Sequence, residues 1–159
     1  MGKLLSLLLL LISVTACVPV PDVYRTNKTS LELQSIQTRV FDATKTVTLA
    51  AVLSVFQDLG YIVTASDIVT GFITAKSPTQ MHYEMVGATA KMKDSRSTAF
   101  IEEFVPGKTK VRLTFVSTEE WSRGIGQKFL QENLIDDPLI YNNAFMKIQE
   151  AIFIRSIKQ

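Results

Sequence analysis

The feature that most restricts the fold is a change of hydrophobic period at Gly60. Before it, Leu49, Val52, Leu53, Phe56 and Leu59 recur at helical spacing and form one apolar stripe. Asp42 or Thr44 can cap the start of this helix, and Gly60 stands where a left-handed residue closes its end. Thr48, Ser54, Gln57 and Asp58 fall largely outside the stripe. That polar face lacks the Lys/Arg density of a membrane-surface helix, so the stripe is read as core. After Gly60, YIVTAS (Tyr61 to Ser66) and GFITAK (Gly71 to Lys76) are rich in β-branched and aromatic residues and predict a hairpin. A chain that switches from a helical period to alternation must bury a helix against a sheet.

The remaining segments fill in that scheme. Leu31 to Asp42 (LELQSIQTRVFD) predicts a first strand, with Ile36, Thr38 and Val40 on one side. Thr98 to Val105 and Lys110 to Val116 predict a second hairpin turning at Pro106-Gly107. There Val111, Leu113 and Phe115 alternate with Lys110, Arg112 and Thr114, the pattern of a half-buried strand. Ser77 to Arg96 reads as a loop or an extra short element, and Ser117 to Gly126 as a polar loop around Trp121. Asp137-Pro138 opens a last helix as N-cap and first-turn proline. Tyr141, Phe145, Ile148 and Ile152 line one face of it, and Ala144, Ala151 and Phe153 broaden that face. Arg155 and Lys158 suit the negative end of its dipole. The expected fold is an α+β two-layer sandwich in the order β-α-β-β-β-β-α. Its antiparallel sheet has about four to five strands, with two helices on one face.

The start of the chain has a different logic. Lys3 precedes an apolar run from Leu4 to Ile12, and Ser13-Val14-Thr15-Ala16 leads into the only cysteine, Cys17. The run is about half the roughly 20 residues that a membrane-spanning helix needs, and Pro19 and Pro21 follow at once. It reads as a signal peptide. Val14-Thr15-Ala16-Cys17 resembles the bacterial lipobox, with Val14 where leucine is more common. That resemblance implies cleavage before Cys17, diacylglycerol on its thiol and a membrane anchor there. One acyl chain holds only reversibly, whereas two or three hold stably. Without a second cysteine, no disulfide can form within the chain. Val18, in place of an aspartate, suggests the outer membrane by the sorting pattern of enterobacterial lipoproteins. Val18 to Ser30, with two prolines and no period, reads as a tether spanning at most roughly 45 Å. The organisation expected is a signal peptide over 1–16, a lipidated cysteine and flexible tether over 17–30, and one domain over 31–159.

Few residues suggest chemistry. The net charge of +2 is too small to suggest a nucleic-acid partner. Lys108, Lys110 and Arg112 alternate as a solvated strand face or a phosphate-binding strip. The single histidine, His82, sits beside Tyr83 and Glu84 in the least patterned stretch. The sequence supplies neither the His/Cys set of a zinc site nor a cofactor motif. Gly124-Ile125-Gly126 lacks the third glycine of a nucleotide loop. Acidic pairs occur at Glu102-Glu103, Glu119-Glu120 and Asp136-Asp137, but neighbours on a strand point to opposite faces. Trp121, Arg123 and Phe129 combine aromatic and guanidinium groups as binding surfaces do, or they cover an edge of the core.

Four stretches carry a family resemblance. They are Gln37-Thr38-Arg39 with Phe41-Asp42, then Leu53 with Gln57-Asp58-Leu59-Gly60-Tyr61. Ser66-Asp67, Gly71 and Ala75-Lys76 follow, and then Asp137-Pro138 with Tyr141 and Phe145. Together they resemble a family of uncharacterised proteobacterial lipoproteins, with Phe56 where that pattern has leucine. The layout is also similar, at fold level, to the helix-grip domains of a lipoprotein of the outer-membrane barrel-assembly machinery. The expectation is a non-catalytic lipoprotein facing the periplasm that binds envelope protein partners. One alternative is a carrier of lipid or another apolar ligand, lined by Phe72, Phe100, Phe104, Phe115 and Phe145. The other is an envelope enzyme using His82 or an acidic pair.

Overall fold

The structure is a computed structural model that describes residues 26–84, 89–123 and 127–157. The leader 1–16, Cys17, most of the 17–30 tether and Gly124-Ile125-Gly126 lie outside these residues. The elements are α1 (Ser30–Gln37), β1 (Thr38–Phe41), α2 (Lys45–Asp58), β2 (Ile62–Asp67) and β3 (Phe72–Lys76). They continue with β4 (Gln80–Glu84), β5 (Thr89–Val105), β6 (Lys108–Arg123), β7 (Gln127–Leu134) and α3 (Pro138–Ser156).

A long antiparallel ribbon of β5 and β6, 17 and 16 residues, is the spine of the sheet. Its hairpin half pairs with β3 and β2 on one side and β1 on the other, in the order β1-β6-β5-β3-β2. The other half pairs with β4 and β7. One ribbon therefore serves a five-stranded body and a four-stranded arm. β3 and β4 run along the same edge of β5, broken at Pro78. Lys76 faces Arg96 and Gln80 faces Lys93, so four residues on one strand span three on the other. Pro78 cannot donate to the ladder, which explains a slip at that point. Ser77 bridges the break by exchanging hydrogen bonds with Ser95, both 2.8 Å.

The core lies on one face of the body. Ile73 and Ala75 of β3, Ala99 and Ile101 of β5, and Val111, Leu113 and Phe115 of β6 are buried there. Helices α2 and α3 cover them, with Val52, Val55, Phe56, Phe145 and Ile148 fully enclosed. α2 starts at Thr44, whose hydroxyl accepts from the Val47 N–H. It ends in a Schellman motif: Gly60 donates to Gln57 C=O and Tyr61 to Phe56 C=O, both 2.9 Å, with Gly60 at φ +83°. The Tyr61 and Phe56 rings meet at 6.0 Å, which supplies the apolar contact of that motif.

The expected sandwich of four to five strands and two helices is corrected by this structure, which has seven strands and three helices among the described residues. Four stretches account for the difference, one of them Gln127–Leu134, for which the sequence predicts no element and which forms β7. Ser30–Gln37 is helical because Thr29 and Glu32 form a capping box, with each side chain accepting from the other's backbone N–H. Only Thr38–Phe41 of the expected first strand is a strand. Ser77 to Arg96, expected as a loop or an extra short element, supplies β4 and the outer half of β5, and Ser117 to Gly126, expected as a loop, supplies the outer half of β6. Their alternation is polar because the helical layer stops before the arm begins. Among the described residues, burial starts at Ser97 in β5 and stops at Val116 in β6. An arm with two wet faces needs no apolar face, so hydrophobic period could not reveal it. Backbone pairing holds it, with ion pairs between strands on its surface: Lys93–Glu119 at 3.0 Å, Lys128–Glu120 at 3.2 Å and Arg96–Glu132 at 3.2 Å. Residues 26–30, placed in the tether by sequence, lie on the domain. Thr26 donates to Asp136 at 2.7 Å, and Lys28 pairs with the same carboxylate at 3.3 Å.

At Phe115 the outer edge of β6 changes neighbour, because β1 pairs up to Arg112 and β7 from Val116. The buried phenol of Tyr141 fills that gap. It donates to Ile135 C=O at 2.7 Å and accepts from Phe115 N–H and Gln37 Nε2, each at 3.4 Å. Burial pushes its pKa above the ordinary phenol value, with the Gln37 and Phe115 hydrogen bonds acting the other way.

Two measurements check this account. Tyr141→Phe leaves Ile135 C=O and Phe115 N–H unpaired, and urea denaturation should show a loss of about 1–3 kcal/mol at unchanged m-value. Gly60→Ala meets no neighbouring atom and should cost about 1 kcal/mol for its left-handed backbone. Gly71→Ala adds a collision of its Cβ with Ile101 C=O and should cost about 1–3 kcal/mol more. Equal losses at the two glycines would refute the close approach of β3 to β5.

Candidate functional site

Where the helical layer ends and the arm continues, the sheet forms the floor of a cleft of about 670 Å³. The end of α2 contributes Leu59 and Tyr61, the β3–β4 break contributes Ser77 and Pro78, and Ile135 and Ile140 close the side nearest α3. The Ser95 hydroxyl donates to the Tyr61 phenol at 3.0 Å on the floor. The Schellman turn at Gly60 aims Tyr61 into this position, and the Ser77–Ser95 bridge fixes the opposite wall.

Farther out on the arm, Trp121 of β6 faces Phe129 of β7 in register. Their rings stack at 5.8 Å between centroids and 14° between planes. Trp121 is half-buried and Phe129 is exposed. Strand alternation from Phe115 places Trp121 on the same face of the sheet as the cleft. Arg123 is the last described residue of β6, opposite Gln127. The structure thus brings Trp121 and Phe129 together, and β-pairing rather than a loop does so. Cys17 lies outside the described residues.

The residues weighed for catalysis are dispersed, and the carboxylates have structural partners. His82 is exposed on β4, opposite Lys91. Glu102 pairs with Lys110 at 2.8 Å across the ribbon. Glu103 accepts from Lys45 N–H at the start of α2 and from Gly107 N–H in the hairpin turn, both 2.8 Å. Those two backbone donors hold its pKa below the ordinary glutamate value. Glu119 and Glu120 pair with Lys93 and Lys128. Asp137 caps α3 by accepting from Leu139 N–H at 2.9 Å. The Thr26 hydroxyl, helped by Lys28, lowers the pKa of Asp136. No group of three or more His, Cys, Asp or Glu among the described residues is arranged to hold a metal.

The five phenylalanines weighed for a ligand cavity do not share one. Phe115 and Phe145 are core residues, and Phe104 is exposed near the hairpin turn. Phe72 and Phe100 meet with centroids 4.8 Å apart, tilted at 40°, on the other face of the sheet. Arg112 of the basic strip reaches Gln37 Oε1 at 3.4 Å, while Lys108 pairs with Asp42 and Lys110 with Glu102. Sequence reasoning missed Tyr61, Ser77 and Ser95, because the cleft exists only where two layers of unequal length overlap. Pro78 is the sequence signal nearest to the cleft, a residue that cannot donate to the ladder and so ends β3.

No protein-family model and no curated protein sequence matches the chain. Among solved structures, a DUF4468 family protein from Bacteroides ovatus superposes with a TM-score of 0.40 at 10% identity. The match covers 72% of this chain and 84% of that one.

Glu103, at the hairpin turn and the start of α2, gives the end of the body opposite the cleft a pH dependence. Its pKa is lower folded than unfolded, so its contribution is complete above the ordinary carboxylate range. It is lost as pH falls through the folded value. Glu103→Gln should therefore be less stable than the parent at neutral pH. The gap should close as acid is added, as read from thermal midpoints over a pH series. A gap that stays constant down to acid pH would refute the role of the charge.

Proposed function

We propose that this chain is a lipid-anchored protein of the bacterial envelope, attached to the outer membrane through Cys17 and facing the periplasm. There it binds protein partners in an assembly or secretion complex. The observation that supports the partner-binding part is the arm. Four strands project beyond the helical layer with a stacked Trp121–Phe129 pair on the cleft side. β4 and β7 each pair on one side only among the described residues. Such edges accept an added strand, and an aromatic pair beside a cleft gives that strand an anchor. The tying of the acidic pairs to structural partners supports a non-catalytic role. The anchor rests on Val14-Thr15-Ala16-Cys17. Among the described residues, no helix is long and apolar enough to cross a membrane.

In-cell crosslinking followed by affinity recovery tests both parts. The parent chain should bring down a defined envelope complex, and Cys17→Ser should lose it. Trp121→Ala combined with Phe129→Ala should reduce recovery by roughly tenfold or more, as removal of a central aromatic anchor does. The thermal midpoint should hardly move, because the arm contributes no core residue. Unchanged recovery from the arm variant would remove the arm from the interface.

A further inference from the structure

We propose that the corner of the domain where α3 begins rests on the lipid surface, with Leu139, Ile140 and Leu31 at the headgroup boundary. This rests on the reading of Cys17 as the lipid anchor. The argument is one of reach. From Thr26 onward the chain is fixed to the domain. Thr26 and Lys28 both hold Asp136, and Thr29 caps α1 with Glu32. Thr26 lies nine residues beyond Cys17, a span of at most roughly 32 Å even when fully extended. A compact domain of this length is itself about 35–40 Å across. The side that carries Asp136 therefore cannot be the one facing away from the bilayer.

That side exposes large apolar side chains beside its charged groups. Leu139 is 69% exposed, Ile140 41% and Leu31 76%. Leu139 is three residues from Asp136 and Leu31 is three from Lys28, so each lies within about 11 Å of the pinned chain. Pairing with Lys28 offsets the Asp136 charge, and Asp137 is engaged in capping α3. Met146 and Phe153 follow Leu139 at seven-residue steps on the outer side of α3, and both are exposed. Glu150 shares that side about 16 Å along the axis from Leu139, and its carboxylate opposes burial of the whole helix. The contact is therefore end-on, deepest at Leu139 and shallower toward Phe153.

The test uses the full lipidated chain in vesicles of phosphatidylethanolamine and phosphatidylglycerol that carry a nitroxide-labelled lipid. Acylation blocks Cys17, so one introduced cysteine takes an environment-sensitive fluorophore. Positions Leu139→Cys, Leu31→Cys, Phe153→Cys and Val69→Cys are compared. Val69 is held by Lys45 at the opposite end of α2 from the Leu59 end that borders Ile140. Leu139→Cys and Leu31→Cys should be quenched at least about threefold more than Val69→Cys, as seating at the headgroup boundary requires. Phe153→Cys should be intermediate, and Asp136→Ala should weaken the quenching at Leu139→Cys by freeing the pinned segment. Equal quenching at Leu139→Cys and Val69→Cys overturns the proposal. So does a blue shift at Leu139→Cys that depends on protein concentration and not on the lipid quencher, which would indicate a second copy of the chain. Intact mass and flotation separate the two failures. An acylated chain that floats while Leu139→Cys stays in water fails this inference alone, and a chain without acyl mass at Cys17 fails the anchor reading as well.

Discussion

Everything in this fold passes Tyr141. A strand of 16 residues cannot find one partner long enough for its outer edge, so β6 pairs first with β1 and then with β7. The join exposes the backbone of Phe115 inside the protein, where an unpaired N–H or C=O is costly. The Phe115 C=O accepts from Ile135 N–H at 2.9 Å, and the Phe115 N–H finds the Tyr141 phenol. The same phenol holds Ile135 and Gln37, so the end of β7, the end of α1 and the first turn of α3 meet at one oxygen. Because that oxygen is buried, body and arm are tied at a point where water cannot substitute for either.

This arrangement separates stability from recognition along one continuous ribbon. The body takes the apolar residues, with α2 and α3 laid over Ile73, Ile101, Val111, Leu113 and Phe115. The arm takes the charges. Its ion pairs are exposed and individually worth only about 0–1 kcal/mol each, so the arm depends on backbone pairing and on its continuity with the body. Substitutions in the arm therefore have little leverage on folding, which leaves that surface free to be shaped by what it binds. The cleft belongs to the boundary: one wall ends the helical layer and the floor begins the arm.

The helical parts were legible because their signals are local. Thr44, the stripe through Phe56 and the stop at Gly60 describe α2, while Asp137-Pro138 and Tyr141 through Ile152 describe α3. α1 was misread as strand, although Thr29 and Glu32 have capping-box spacing. The strand-like alternation of Ile36, Thr38 and Val40 argued the other way, and the cap decided. Of the candidate site, Trp121 and Phe129 could be picked out by residue type but not paired, because their partnership is a matter of register between β6 and β7. The cleft residues Tyr61, Ser77 and Ser95 carried no signal, being ordinary polar residues until the layers overlap.

What the sequence determined by itself was the content of each short stretch: caps, stops, turn glycines and the apolar faces that had to be covered. These are properties of a few neighbouring residues, and they survive in any tertiary context that buries the apolar face. Only the tertiary structure decided how far β5 and β6 extend, that β3 and β4 share one edge across Pro78, and that Thr26 and Lys28 are held against Asp136. Each depends on a partner more than 10 residues away in the chain. A polar strand with two wet faces has no period of its own to announce it, so its partner is what makes it a strand.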